Sequence, residues 1–284
     1  MSKLLRLLPD KVYISLLYFK HFKKLPNLRK PRTFNEKLQW LKLYDRRDIY
    51  TTMVDKHLVK QYVADVIGEE YLIPTLGVWD EPEEIDFDAL PEKFVLKWNH
   101  DSGSVLICKD KSKLDKAAVV ENFRRRKSHN GYWYGREWPY KNVKPRVIAE
   151  EYMEDSKTAE LRDYKFFCFD GAVKAMFVAT ERQKAGEEVK FDFFDPDFNW
   201  LPIRQGHPNA KTPPEKPEKL EEMRLLAEKL SKGIPQLRVD FYEVDGKVYF
   251  GELTFSHFAG LVPFEPAEWD RKFGDWIQLP EKTR

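Results

Sequence analysis

Residues 237–255 constrain this chain more than any other stretch. Leu237-Arg238-Val239-Asp240-Phe241-Tyr242 and Val248-Tyr249-Phe250-Gly251-Glu252-Leu253-Thr254-Phe255 are two runs rich in β-branched and aromatic residues. Asp245-Gly246 stands between them, and a D-G pair flanked by such runs predicts a β-hairpin. Alternate residues of a strand share a face, so Arg238 goes with Asp240 and Glu252 with Thr254. If the hairpin pairs about its turn, a cation, two carboxylates and a hydroxyl can converge on one patch. A hard cation such as Mg²⁺ takes one or two carboxylates and fills its other positions with water and phosphate oxygens. Asp240 and Glu252 meet that need, and Arg238 beside them would neutralise phosphoryl oxygens. The plainer reading of the same residues is an edge hairpin with solvent-facing charges.

Upstream segments add chemistry in a definite order. Thr33-Phe34-Asn35-Glu36 is a capping-box pattern that opens a helix through Leu43. Thr52 to Val63 predicts a second amphipathic helix, carrying Lys56 and ending near Gly68. Phe94 to His100 predicts a strand, followed by Asp101-Ser102-Gly103-Ser104 and the apolar strand Val105 to Cys108. Small residues there would let backbone N–H groups approach phosphate oxygens, with Lys97 supplying charge. Asn99 and His100 either assist that binding or shape the turn. Pro145 to Met153 reads as an apolar strand ending in Glu150-Glu151. Asp163 opens a strand through Phe169, which Asp170-Gly171 turns into a second hairpin. Leu220 to Leu230 predicts a helix that stops at Lys232-Gly233.

Taken together, Asp55-Lys56, Asn99-His100-Asp101-Ser102-Gly103, Ala149-Glu150-Glu151-Tyr152, Arg238-Val239-Asp240-Phe241-Tyr242 and Gly251-Glu252-Leu253-Thr254-Phe255 resemble the TupA-like ATP-grasp family. That family is named for teichuronopeptide biosynthesis. The resemblance implies an α+β protein with the ATP-grasp fold, antiparallel sheets and flanking helices sandwiching a nucleotide. It implies ATP and Mg²⁺ as cofactors. Lys56, Lys97, Ser102, Gly103 and Ser104 would then meet the phosphates, Glu150, Glu151 and Met153 the adenine, and Asp163 the ribose. Asp240, Glu252 and Thr254 would face the metal, with Thr254 standing where the pattern usually has asparagine and offering a shorter reach. Arg238, Lys97 and His257 would be the catalytic groups, an isolated histidine also being a common structural residue.

The activity implied is carboxylate–amine ligation. ATP phosphorylates a carboxylate, and an amine displaces phosphate to leave an amide. The partners implied are an amino acid and a uronic acid or glutamyl carboxylate, with the acceptor on a lipid-linked glycan of a bacterial capsule, O-antigen or teichuronopeptide. Two other classes stay open: a glycosyltransferase-like polysaccharide-modifying protein, and a nucleotide-binding scaffold without turnover. The organisation expected is a basic helical region at 1–50, a linker lobe at 51–93, a lid lobe at 94–149 and a C-terminal lobe with the metal site at 150–284.

Composition narrows the rest. The chain has 284 residues and a net charge of +2, so the total charge points neither to a nucleic-acid binder nor to an acidic tail. Cys108 and Cys168 lie in apolar runs and read as buried small hydrophobes of a reducing compartment. No apolar run reaches the roughly 20 residues needed to span a bilayer, and a secretory signal pattern is not seen. A cytoplasmic protein is expected, at most resting on the inner face of the cell membrane. Residues 1–32 hold nine Lys and Arg against Asp10 alone. They read first as a solvated helix packed by its Leu and Tyr side, and second as a segment lying on an anionic membrane. Residues 122–145 mix Arg, Lys and aromatics and read as a lid or acceptor-recognition loop, or as a loop packed on the core.

Overall fold

The computed structural model describes residues 6–101, 103–156, 161–181 and 188–282. In chain order the helices of interest are α1 (Asp10–Phe22), α2 (Phe34–Tyr44), α3 (Ile49–Val54), α4 (Val59–Ile67), α5 (Lys116–Arg126), α6 (Gly131–Gly135), α7 (Leu220–Ser231) and α8 (Glu268–Trp276). The strands form two antiparallel sheets. The smaller contains β1 (Thr75–Trp79), β2 (Phe94–Trp98), β3 (Val105–Cys108) and β4 (Val147–Glu151), in the order β1-β4-β2-β3. The larger contains β5 (Asp163–Phe169), β6 (Ala172–Thr180), β7 (Lys190–Phe194), β8 (Trp200–Leu201), β9 (Leu237–Val244) and β10 (Lys247–Thr254), in the order β10-β9-β5-β6-β7-β8.

The two faces of the larger sheet follow from side-chain alternation. In β5, Tyr164, Phe166 and Cys168 point to one side, where they pack with Val59 and Val63 of α4 and with Met223, Leu226 and Leu230 of α7. Phe167 and Phe169 point to the other side and meet Phe34 and Leu38 of α2 and Trp269 and Phe273 of α8. Asp163 and Lys165 share that second face but lie toward the opposite end of the strand. One face of the sheet is therefore apolar where α2 and α8 cover it and charged beyond them. The smaller sheet has its own core, in which Phe94, Leu96 and Trp98 pack against Val119 and Phe123 of α5.

The expected capping box is present. Thr33 Oγ1 accepts from Glu36 N at 3.3 Å, while Glu36 Oε2 accepts from the amides of Thr33 and Arg32. This holds the start of α2 against α8, where Asp270 Oδ1 accepts from Asn35 N and Nδ2 at 2.9 and 3.0 Å. Contact is so close that a Cβ on Gly274 would lie 2.7 Å from Phe34 N and closer still to the Arg32 carbonyl. Gly274→Ala should therefore lower stability by about 1–3 kcal/mol, because backbone on both sides must move. An unchanged urea midpoint would show that the two helices can separate there freely.

One predicted element is corrected. The helix expected over Thr52 to Val63 is two helices, α3 and α4, with a break between Val54 and Val59. Asp55 causes it: its backbone is extended, its Oδ1 accepts from the amides of His57 and Leu58 at 2.9 and 3.2 Å, and its Oδ2 accepts from Asn99 Nδ2 at 2.8 Å. A short carboxylate competes with the helical ladder for nearby amides. The amide of Lys56 consequently donates to Asn99 O, just past the end of β2. Residues 122–145 are also more ordered than a loop, since they contain the end of α5, all of α6 and a 3₁₀ turn at Trp138–Tyr140.

Candidate active site

The hairpin forms about Asp245-Gly246, both with positive φ of 49° and 75°, as a two-residue turn of this kind requires. From that turn Val244 pairs with Lys247 and Phe241 with Phe250. Continued without interruption, this register would place Gly251 opposite Asp240 and turn Glu252 to the other face. Instead the register shifts between Phe250 and Glu252, so Glu252 lies opposite Asp240 and Thr254 opposite Arg238. This β-bulge puts the two carboxylates, the arginine and the hydroxyl on one face. Gly251 suits the site because an added Cβ would stand 3.1 Å from the Asp240 carbonyl oxygen and 3.2 Å from the Tyr242 ring.

Strand β5 adds a residue that the sequence reading did not single out. Lys165 pairs in register with Asp240, and its Nζ bonds Asp240 Oδ2 and Asp163 Oδ2, the latter at 2.6 Å. Arg238 holds the other side of Asp240 with Nε to Oδ1 and Nη2 to Oδ2, both 2.7 Å. Its Nη2 also reaches Glu252 Oε1 at 3.0 Å, and its Nη1 lies 2.7 Å from His257 Nδ1. Asp240 is 0% exposed and Asp163 is buried beside it, whereas the Glu252 side chain is 35% exposed. Asp163-Tyr164-Lys165 carried a signal: two charges at strand spacing inside an apolar run point to one buried face.

A cavity of about 660 Å³ opens above this network. Lys56, Lys165, Arg238, Glu252, Thr254 and His257 line its floor, while Asn130, Tyr134 and Glu137 of the 122–145 segment line the opposite wall. Lys56 arrives through the α3–α4 break, and its Nζ donates to the Asp101 carbonyl. Burial would raise the Glu252 carboxyl, but Lys165, Lys56 and Arg238 outweigh it and hold it down to about 2. Burial, with the charges of Arg238 and Lys165 behind it, pushes His257 well below the usual histidine range, so the ring is neutral at pH 7. Because Arg238 donates to Nδ1, the proton sits on Nε2. That Nε2 is buried and meets no acceptor among the described residues.

Other residues singled out from sequence lie elsewhere. Glu150 is buried between Lys60, at 2.8 Å, and Lys97, at 2.5 Å, and these lysines outweigh its burial and hold the carboxyl below its ordinary value. Glu151 is exposed and Met153 half-buried at the end of β4, and neither lines the large cavity. Gly103 and Ser104 line a separate cavity of about 200 Å³ with Arg126, whose Nη1 donates to Ser104 Oγ at 3.2 Å. Ser102 lies outside the described residues. Sequence reasoning gave Lys60 no role, because its partner Glu150 comes from a distant strand.

The donor set can be tested against a nucleotide and a metal. Three cations and a buried N–H without an acceptor on one cavity wall fit phosphate oxygens. Among the described residues no group of three or more His, Cys, Asp and Glu forms a metal cage. Mg²⁺ bound with phosphates needs only one or two carboxylates, and of the hairpin's two carboxylates Glu252 is the one that lines the cavity. Asp240 has both oxygens engaged by Arg238 and Lys165, so its carboxylate lies behind Glu252.

A family model described as TupA-like ATPgrasp matches residues 36–278. The chain belongs to the TupA-like ATP-grasp family, and its two antiparallel sheets with flanking helices are the α+β ATP-grasp fold. Solved structures similar to it include the D-alanine–D-alanine ligase of Helicobacter pylori, with 14% identity, a TM-score of 0.49, and coverage of 89% of this chain and 68% of that one. The D-alanine–D-alanine ligase of Bacillus anthracis is similar at 16% identity and a TM-score of 0.42, over 72% of this chain and 57% of that one. The ATP-grasp ligase PsnB, complexed with a minimal precursor, is similar at 13% identity and a TM-score of 0.44, over 75% of this chain and 56% of that one. The chain thus spans little more than half the length of the latter two. No curated protein matches the sequence.

Proposed function

We propose that this protein is an ATP- and Mg²⁺-dependent carboxylate–amine ligase that builds an amide on a bacterial surface polysaccharide. The observation that carries this reading is the wall on which Lys56, Lys165 and Arg238 converge beside the carboxylate of Glu252. A carboxylate oxygen attacks the γ-phosphorus of ATP and ADP leaves. The amine nitrogen then attacks the acyl carbon, phosphate leaves, and the nitrogen gives up a proton. Such chemistry needs positioning and charge neutralisation more than a protein nucleophile.

In this reading Lys56, Lys165 and Arg238 neutralise phosphoryl oxygens, and the Nε2–H of His257 donates to one of them. Glu252 would hold Mg²⁺, with Asp240 behind it and Thr254 alongside, and the metal would supply further neutralisation of phosphate charge. Residues 94–149 are the lid lobe, 51–93 the linker lobe before it, 150–284 the C-terminal lobe with the metal site, and 1–50 the basic helical region. Lys97 and the Ser102-Gly103-Ser104 loop cover the phosphates. Glu150, Glu151 and Met153 stand at the hinge near adenine, and Asp163 is the acid nearest the ribose. The acceptor is a uronic acid or glutamyl carboxylate, on a lipid-linked glycan, and the amine an amino acid.

The test is ADP release from Mg-ATP in hydroxylamine, with glutamate, poly-γ-glutamate or glucuronate as the carboxylate. Carboxylate-dependent ADP with matching hydroxamate is expected. ADP formed at the same rate without any carboxylate would replace the ligase reading with ATP hydrolysis, and bound nucleotide with no turnover under every condition would replace it with a scaffold.

A further inference from the structure

Helix α1 does opposite things on its two faces. Tyr13, Ile14 and Tyr18 are buried against the body, and Leu17 and His21 reach the rim of the large cavity. Asp10, the one acid within residues 6–32, is consumed in docking the helix. Its carboxylate accepts from Tyr132 Oη at 2.9 and 3.0 Å, pairs with Arg46 at 2.6 Å and lies 3.2 Å from Arg136 Nε. Tyr13 Oη donates to Tyr134 O at 3.0 Å, tying the helix to the cavity wall.

The outer face is apolar. Val12, Leu16 and Phe19 follow at intervals of four and three residues, which aligns them in one stripe. They are 45%, 54% and 49% exposed, and Leu7 and Leu25, just outside the helix, are exposed as well. Lys11 and Lys20 flank it, and Lys23, Lys24, Arg29 and Lys30 follow, all exposed. A helix merely solvated on the protein surface would be polar on this side. No helix among the described residues is long and apolar enough to cross a membrane. An apolar stripe bordered by lysines suits the headgroup boundary of an anionic bilayer, where the stripe is buried and the lysines meet lipid phosphates. A second copy of the chain is a poor cover, because a twofold contact would set this uncompensated positive charge against itself.

We propose that α1 lies on an anionic phospholipid surface, with Val12, Leu16 and Phe19 at the acyl boundary and the flanking lysines at the lipid phosphates. The proposal stands independently of the ligase reading. Its test is flotation of the full chain with phosphatidylcholine vesicles that contain phosphatidylglycerol, against pure phosphatidylcholine, at low and high salt. Flotation only with the anionic vesicles, lost at high salt, is expected. Replacing Lys20, Lys23 and Lys24 by alanine should weaken partitioning by roughly a hundredfold, at about fivefold per lysine. Leu16→Glu with Phe19→Glu should abolish it while leaving the circular-dichroism melt unchanged, since both side chains are exposed. Absence of flotation at low salt, equal flotation with both vesicle types, or a double variant that floats like the parent would overturn the proposal. So would a parent dimer in light scattering that the double variant dissolves, which would assign the stripe to a second copy.

Discussion

Replacing Arg238 by methionine should lower stability by about 3 kcal/mol and abolish ADP formation. The guanidinium holds both oxygens of Asp240, one of Glu252 and the Nδ1 of His257. Removing one member of a buried ion pair costs roughly 3–5 kcal/mol, because the remaining charge is left without compensation. Lys165 still faces Asp240, which sets the expectation at the lower end of that range. Arg238→Lys should recover part of the stability, since charge returns. It should not recover turnover, because a point charge cannot reproduce the fork that reaches three partners. Urea denaturation monitored by circular dichroism measures the loss. A methionine variant as stable as the parent would show that the network does not hold the hairpin together.

Mg-ATP at about 100 times its Kd should stabilise the parent protein by roughly 2.7 kcal/mol, the amount that ligand binding to the native state alone supplies. Glu252→Gln should remove the Mg²⁺-dependent part of this shift and leave a smaller effect from ATP with chelator. Lys56→Ala should weaken both, because a cation on the phosphates acts with or without metal. Thermal denaturation titrated with ATP, with and without Mg²⁺, separates the cases. An undiminished Mg²⁺ response in Glu252→Gln would move the metal away from the hairpin. No response of the parent to any nucleotide would remove nucleotide binding from the proposed function.

Much of the fold could be read locally. The capping box at Thr33 and Glu36, the turn at Asp245-Gly246 and the stop at Gly233 each depend on a few neighbouring residues, and each forms where that chemistry requires. The helix break at Asp55 escaped this reading. The apolar spacing from Thr52 to Val63 runs through the break, and the carboxylate's second partner, Asn99, comes from the distant bend after β2. The same limit applies to Lys165, whose meaning depends on lying opposite Asp240 in a neighbouring strand.

The sequence by itself determined the inventory: a hairpin bearing Arg238, Asp240, Glu252 and Thr254, lysines upstream of it, and a basic N-terminal helix. These follow from turn chemistry and side-chain periodicity, which act over a few residues. Only the tertiary structure decided which of those groups meet. A one-residue bulge at Gly251 turned Glu252 and Thr254 to the face of Asp240, and the break at Asp55 turned Lys56 toward the same cavity. Pairing register and partners across elements are settled by packing and electrostatics between distant segments, which no local pattern encodes.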